Sequence, residues 1–196
     1  MTGAPIVTRW WWVRHAAMPP PAGMIHPPHA EPAPIPPPLV EGLRRALPKR
    51  ALWLISGWTR TRITARMLNH APPLVVPELA EQNFGDWTGH THDDLALNHP
   101  EAHAAFWEDP AANAPPGGES FAEQCGRVAA AIDRLSLEHA GLDLVAVVHA
   151  GVIRAAVAHA LELPAERALR LSIDPLSLTR IDWIGPHARV VAVNRT

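Results

Sequence analysis

Apolar residues along this chain fall into short runs separated by amphipathic stretches. Ile6–Val13 is rich in β-branched and aromatic residues and is partly apolar on both sides, the pattern of a buried strand. Ala51–Ile55 (ALWLI) repeats that pattern, and Leu144–Val148 (LVAVV) shows it most clearly. Leu74–Val76 is a short extended piece, and Ser177–Trp183 and Val190–Asn194 read as closing strands. Between these runs, helical spacing predicts helices over Val40–Leu47, Thr61–Asn69 (with Thr59 as N-cap), Leu95–Trp107, Phe121–Ala140 and Val152–Leu161. Ser120 and Glu123 have the spacing of a capping box at the start of the long helix, and Pro115–Gly118 forms a turn cluster before it.

Strands alternating with helices predict an α/β fold, a three-layer sandwich with a mostly parallel central sheet and helices on both faces. In such sheets ligands sit beyond the carboxyl ends of the strands. The first strand runs into Arg14 and His15. ALWLI runs into Ser56 and then Arg60. LVAVV runs into His149 and the Ala150-Gly151 backbone at a helix start. Two histidines and two arginines are thus delivered to one edge.

Length and composition narrow the picture. A chain of 196 residues predicts a single domain over 1–196, large enough to bury a sizeable core. It has no internal repeat, and residues 77–118 read as an insertion into the sheet domain. Ten of its 22 prolines crowd into residues 19–38 (PPPAGMIHPPHAEPAPIPPP). Proline fixes φ and removes a donor, so this arm reads as non-helical and outside any central strand. A polyproline-like surface loop is the leading reading; a ligand for an aromatic-lined groove and an ordered flap beside the site are the others. Hydrophobic residues at 47% and charged residues at 18% read as globular. A formal net charge of -2 gives no global field toward nucleic acid or an anionic membrane. No apolar run approaches the roughly 18 residues of a membrane span, and no secretory-type leader is read at the start. The single Cys125 excludes an intrachain disulfide framework and fits a reducing compartment, so the expected location is cytoplasmic.

Arginine presents a planar fork of donors that matches phosphate oxygens, and two on one edge make a dianion pocket. A histidine there can act as a nucleophile, and a second can donate to the oxygens. The leaving oxygen of a phosphomonoester also needs a proton, which a nearby carboxylic acid can give. A helix start after His149 favours negative charge. Each of these residues alone is better read as a strand-end polar group; three matched strand ends together point to a phosphate site.

At these residues the sequence resembles the histidine phosphatase superfamily (phosphoglycerate mutase-like). Val13-Arg14-His15-Ala16 is similar to its Arg-His-Gly-like tripeptide, and ISGWTRTRITA to the segment that carries its second arginine, which places Arg60 on the motif. LAEQNFGDW, PPGGES and VVHAGVIRA resemble three further segments, in the family's order, so the resemblance runs from about Arg9 to Trp183. It implies a phosphohistidine at His15 and a phosphate pocket of Arg14, Arg60, His149 and the Ala150 backbone. It further implies Glu81 as proton donor, His149 as a second catalytic histidine, and no metal or cofactor. Within the superfamily the chain looks most like bacterial α-ribazole phosphatase-type members. The expected function is hydrolysis of a small-molecule phosphate ester, without nucleic-acid or membrane partners; a homodimer is left open. The chain departs from the family at Met18, where a Thr or Ser hydroxyl is usual, at Ser56-Gly57-Trp58, at HPPHAEP and at Thr88. All of these lie where substrate would touch.

Other residues invite competing readings. His90, His92 and Asp94 match part of a binuclear metallohydrolase pattern, but its final histidine is Leu95 here, so a polar loop is the better reading. His26 and His29 sit in the arm within reach of a substrate, whereas His70, His99, His103, His139, His159 and His187 read as surface or boundary residues. Arg154 faces either the anion or solvent. Cys125 reads as a small hydrophobe on the long helix. A non-catalytic phospho-ligand binder is a second function class, disfavoured because a binder needs no nucleophile and acid together. A mutase is a third, disfavoured because VVAVNRT reads as a strand rather than a closing tail.

Overall fold

The six-residue run Val7–Trp12 alternates sides of a sheet, and its neighbours determine which side is which. The computed structural model describes residues 5–196. In chain order the elements are β1 (Val7–Arg14), α1 (Pro37–Ala46), β2 (Leu52–Ile55), α2 (Thr59–Leu68), β3 (Leu74–Val75), α3 (His92–Asn98), α4 (Pro100–Glu108), α5 (Phe121–Glu138), β4 (Asp143–Val148), α6 (Ala150–Leu161), α7 (Ala165–Ala168), β5 (Leu178–Ile184) and β6 (His187–Arg195). Two short 3-10 turns, Pro77–Leu79 and Gly85–Trp87, lie between β3 and α3.

All six strands form one sheet, in the order β3-β2-β4-β1-β5-β6. The first four are mutually parallel; β5 runs antiparallel to β1, and β6 antiparallel to β5. The fold is therefore α/β with a mostly parallel central sheet. One face, carrying Trp10, Trp12, Leu54, Leu144 and Ala146, packs on Val128 and Ile132 of α5 and Val152 and Ile153 of α6. The other face, carrying Val13, Ile55, Val145 and Val147, packs on Val40 and Leu43 of α1 and Ala65 and Leu68 of α2.

The tryptophan run follows from this alternation. Trp10 and Trp12 share the α5/α6 face and stack with ring centroids 4.5 Å apart and planes 8° off parallel. Both are fully buried, and the Trp10 Nε1 donates to Ser136 Oγ at 2.9 Å. Trp11 points the other way, donates to Asp143 Oδ1 at 2.8 Å, and lies under the Arg180 guanidinium at 4.5 Å. By transfer bookkeeping each buried indole contributes about 4–6 kcal/mol as an upper bound. That is ample to fix the register of the strand that ends at Arg14.

Several local expectations are corrected. The helix expected over Leu95–Trp107 is two, because Pro100 cannot continue α3 and instead occupies the first turn of α4. Thr59 is not an N-cap: α2 begins at Thr59 itself, and its cap residue Trp58 makes no side-chain cap bond. The proline arm is not wholly non-helical, since Pro37 and Pro38 open α1, where a missing N–H costs nothing. The capping box of α5 is present, with Ser120 Oγ accepting from the Glu123 amide and the Glu123 carboxylate accepting from the Ser120 amide.

Candidate active site

Strand register brings the strand-end residues together. Arg14 pairs with Val148 across β1 and β4, so the next residues, His15 and His149, are neighbours. Ile55 pairs with Val147 across β2 and β4, which carries Ser56 to the same edge. The rings of His15 and His149 meet edge-on, 5.2 Å between centroids.

Each imidazole has one nitrogen already engaged. His15 is buried, its amide donates to Val148 O at 2.9 Å, and its Nδ1 lies 2.7 Å from Ala16 O. A carbonyl only accepts, so Nδ1 carries the proton and Nε2 is left with its lone pair. His149 is fully buried; its Nε2 lies 2.8 Å from Ser56 Oγ, and its Nδ1 has no partner. Trp58 closes over it edge-on at 4.9 Å. The same indole lies 4.3 Å from the Arg60 guanidinium.

Two arginines flank the histidines. Arg14 Nη1 donates to Ile173 O at 2.5 Å, and Arg60 Nη1 to Pro27 O at 3.0 Å. The Nε of each is buried without a partner. Arg60 is only 4% exposed. Burial pushes its guanidinium down to about 10, against the pull of Glu81, so it stays charged.

Glu81 faces this cluster from the segment after the first 3-10 turn. Its Oε1 accepts from Gln124 Nε2 at 3.0 Å and from the Gln82 amide at 3.2 Å, and its Oε2 accepts from the Gly151 amide at 3.3 Å. The Gly151 backbone at the helix start thus contacts Glu81. Arg127 of α5 anchors the segment from behind. Its guanidinium grips Glu119 with Nε and Nη2 at 3.0 and 2.6 Å and donates to Glu81 O at 3.2 Å. That pairing gives PPGGES its role: Glu119 holds the arginine while Ser120 caps α5.

A cavity of about 630 Å³ opens in front of these groups. Arg14, His15, Arg60 and Glu81 line it, as do Met18, His26 and Trp58. His149 is fully buried against His15, and Ala150, the first residue of α6, is buried at a helix start, where an amide has no intrahelical partner. The proline arm forms one wall as an ordered flap. Ile25 exchanges backbone bonds with the 89–90 turn (Ile25 N to His90 O 2.9 Å, Gly89 N to Ile25 O 2.8 Å), and Thr59 N donates to Pro28 O at 3.0 Å. His29 is exposed and lines nothing. Where the family resemblance places a hydroxyl, Met18 offers a thioether, while the buried Thr64 hydroxyl accepts from the Ala16 amide at 3.1 Å.

Of the remaining candidates, Arg154 and Asp94 separate from the site, whereas His92 lines the cavity. Arg154 donates to Leu171 O at 2.9 Å and does not line the cavity. Asp94 is committed to the cap of α3 through Thr91, and His92 packs against His103 and Trp107. Among the described residues no group of three His, Cys, Asp or Glu side chains is arranged to hold a metal ion. Burial pushes the Cys125 thiol up to about 11.

Burial sets the protonation of the two histidines and makes a stability prediction. Desolvation, then the charge of Arg60, pushes His15 down to about 3, and desolvation with His15 as next cause holds His149 well below 6.5. Both are neutral in the fold but protonate near 6.5 when unfolded. Their contribution is therefore fully present above about pH 6.5 and is lost as pH falls toward 3. At pH 5 the His15 shift alone costs about 2 kcal/mol, and His149 adds in the same direction. The melting temperature should drop by about 4–8 °C between pH 7.5 and pH 5 from His15 alone. In His15→Asn that drop should shrink, and an unchanged pH dependence in the variant would refute the assignment.

Comparison with known proteins is consistent across three measures. The family model for the histidine phosphatase superfamily (branch 1) matches residues 39–196. A bifunctional protein of Mycobacterium tuberculosis is 31% identical over 137 residues, 69% of this chain and 37% of that protein. An adenosylcobalamin/alpha-ribazole phosphatase of Salmonella typhimurium is 38% identical over 85 residues, 42% of each chain. The chain thus spans well under half the length of these relatives. In three dimensions the alpha-ribazole phosphatase of Shigella flexneri matches with a TM-score of 0.82 at 28% identity, covering 95% of this chain and 96% of that one. A mycobacterial glucosyl-3-phosphoglycerate phosphatase matches with a TM-score of 0.83 at 26% identity, covering 97% and 100%.

Proposed function

Because this chain belongs to the histidine phosphatase superfamily (branch 1), we propose that it hydrolyses a phosphomonoester through a phosphohistidine on His15. The observation that carries the reading is the convergence of Arg14, His15, Arg60 and Glu81 on one cavity, with Arg14 Nε, Arg60 Nε and His149 Nδ1 buried without a partner. Buried polar atoms are rarely left unpaired, and two arginines lining one cavity with an imidazole suit the oxygens of a phosphoryl group.

The geometry supports the following steps. The His15 Nε2 lone pair attacks phosphorus; the bond to the leaving oxygen breaks, and Glu81 gives that oxygen its proton. In the second half Glu81 takes a proton from water, whose oxygen attacks phosphorus and releases phosphate from Nε2. Arg14, Arg60 and His149 hold the phosphoryl oxygens throughout, and the helix start at Ala150 adds a partial positive charge. The scheme calls on no metal or cofactor.

The outer wall of the cavity bears on the substrate class. Met18, Met24, Ile25 and Phe84 give it an apolar stretch beside the uncharged Asn83 and Thr88, and Arg127, which also reaches the cavity, is already held by Glu119. That favours a leaving group with an uncharged, apolar face over a carboxylated one, in keeping with relatives named for alpha-ribazole phosphate chemistry.

A panel of aryl, sugar and ribazole-type phosphate esters at pH 5–7 tests the reading by phosphate release. Folded protein that releases none from any ester would leave the phospho-ligand binder as the better account. Within the panel, Glu81→Gln should slow poor alkyl leaving groups by roughly 10²–10⁴-fold and a good aryl leaving group far less. Equal slowing of both would remove Glu81 from the donor role.

A further inference from the structure

The buried amide beside Glu81 belongs to none of the segments that resemble the family. We propose that Gln124 is a positioning residue for the proton donor, holding Glu81 in both of its protonation states; this rests on Glu81 being that donor. Gln124 lies one turn into α5, phased by the Ser120 cap, and is fully buried. Its Nε2 donates to Glu81 Oε1 at 3.0 Å and approaches Ala80 O at 3.4 Å, while its Oε1 has no partner.

That unpaired oxygen is the telling feature. A buried acceptor left unmatched costs about 1–3 kcal/mol, so stability alone would favour an apolar side chain at 124. Catalysis requires a carboxyl that is ionised at one stage and protonated at another. The ionised carboxylate accepts from Gln124 Nε2. The protonated carboxyl carries an O–H that needs an acceptor whenever it is not on the substrate, and a half-turn of the amide presents Oε1 to it. Amide nitrogen and oxygen are close enough in size for that turn to disturb no packing. The other groups facing Glu81 cannot accept from it. The Gln82 and Gly151 amides only donate, and Arg14 at the end of β1, Arg60 of α2 and Arg154 of α6 are cations. Arg127 holds the backbone carbonyl rather than the carboxylate. His15 Nε2 keeps its lone pair, but in the proposed reaction that lone pair is committed to phosphorus, and His149 Nε2 is taken by Ser56.

The test is Gln124→Met, which keeps length and apolar volume but removes donor and acceptor, measured beside Glu81→Gln. Alkyl-ester hydrolysis should slow about 10- to 30-fold, an aryl ester much less, and the KM for each should hold. The alkaline limb of the alkyl-ester pH profile should move up by about one pH unit, because the ionised carboxylate has lost a donor. Equal slowing of both ester types with the limb unmoved would mean that Gln124 only packs, and the proposal falls. If Glu81→Gln itself spares alkyl esters, the donor reading falls first and takes this one with it. Should the Met variant fail to fold, Gln124→Glu serves, since two carboxyls sharing one proton should push the same limb further up; a wild-type limb there refutes the proposal equally.

Discussion

His15→Ala should lose phosphate release by roughly 10⁴-fold or more, the scale on which removing a nucleophile acts in other enzymes. Neither His149 nor Cys125 can take its place. The His149 ring is fully buried, with Nε2 against Ser56 and Trp58 across its face. The Cys125 thiol, raised to about 11, sits on α5 among core residues. Substrate binding should survive far better than turnover, because Arg14 and Arg60 remain. The decisive measurement is a rapid acid or alkaline quench of wild type and variant during turnover, followed by mass analysis. Wild type should carry one phosphoryl group that is acid-labile and alkali-stable, as a phosphoramidate is, and the variant none. Full activity in His15→Ala would end the mechanism.

Gly151→Ala should be nearly as damaging to esters of poor leaving groups, roughly 10²–10³-fold, while leaving the protein as stable as wild type or slightly more so. A Cβ at 151 would overlap Glu81 Oε1 and stand 2.7 Å from Gln124 Oε1. Both are ends of flexible side chains, so the fold can yield, and alanine is the better helix former by about 1 kcal/mol. What yields is the position of the carboxyl. Loss of a correctly placed general acid costs on this scale, whereas an aryl ester that needs no proton should be much less affected. Thermal melts and rates on both ester types settle it: a destabilised variant with uniform loss would mean that the glycine serves packing instead.

How much of this was legible beforehand differs by element. The strands were visible because their apolar runs are continuous, as buried parallel strands require. β6 ran longer than expected because, as the outermost strand, it alternates exposed and half-buried positions, so His187 and Arg195 read as polar ends. The four-residue α7 has too few turns for any periodicity to show. The start of α6 was placed two residues late because small Ala150 and Gly151 carry no helical pattern of their own. At the site, Arg14, His15, Arg60, Glu81 and His149 were named because strand ends and motif spacing are local signals. Ser56 and Gln124 were not given roles, since their partners lie 93 and 43 residues away and only the folded sheet brings them together. The one local clue to Gln124 was its place a single turn past a strong cap.

The proline arm has one further consequence. Its backbone is stitched to the 89–92 turn and to the start of α2 before any ligand arrives, and Arg60 is already pinned to Pro27. A glycine- or serine-rich loop in that place would have to surrender conformational freedom each time a substrate bound, at roughly 1–2 kcal/mol per residue. Here that loss is taken once, during folding, and the prolines make even that smaller by restricting the unfolded chain. The mouth of the site is therefore shaped before a guest arrives, which favours selection by fit at entry over closure around the guest.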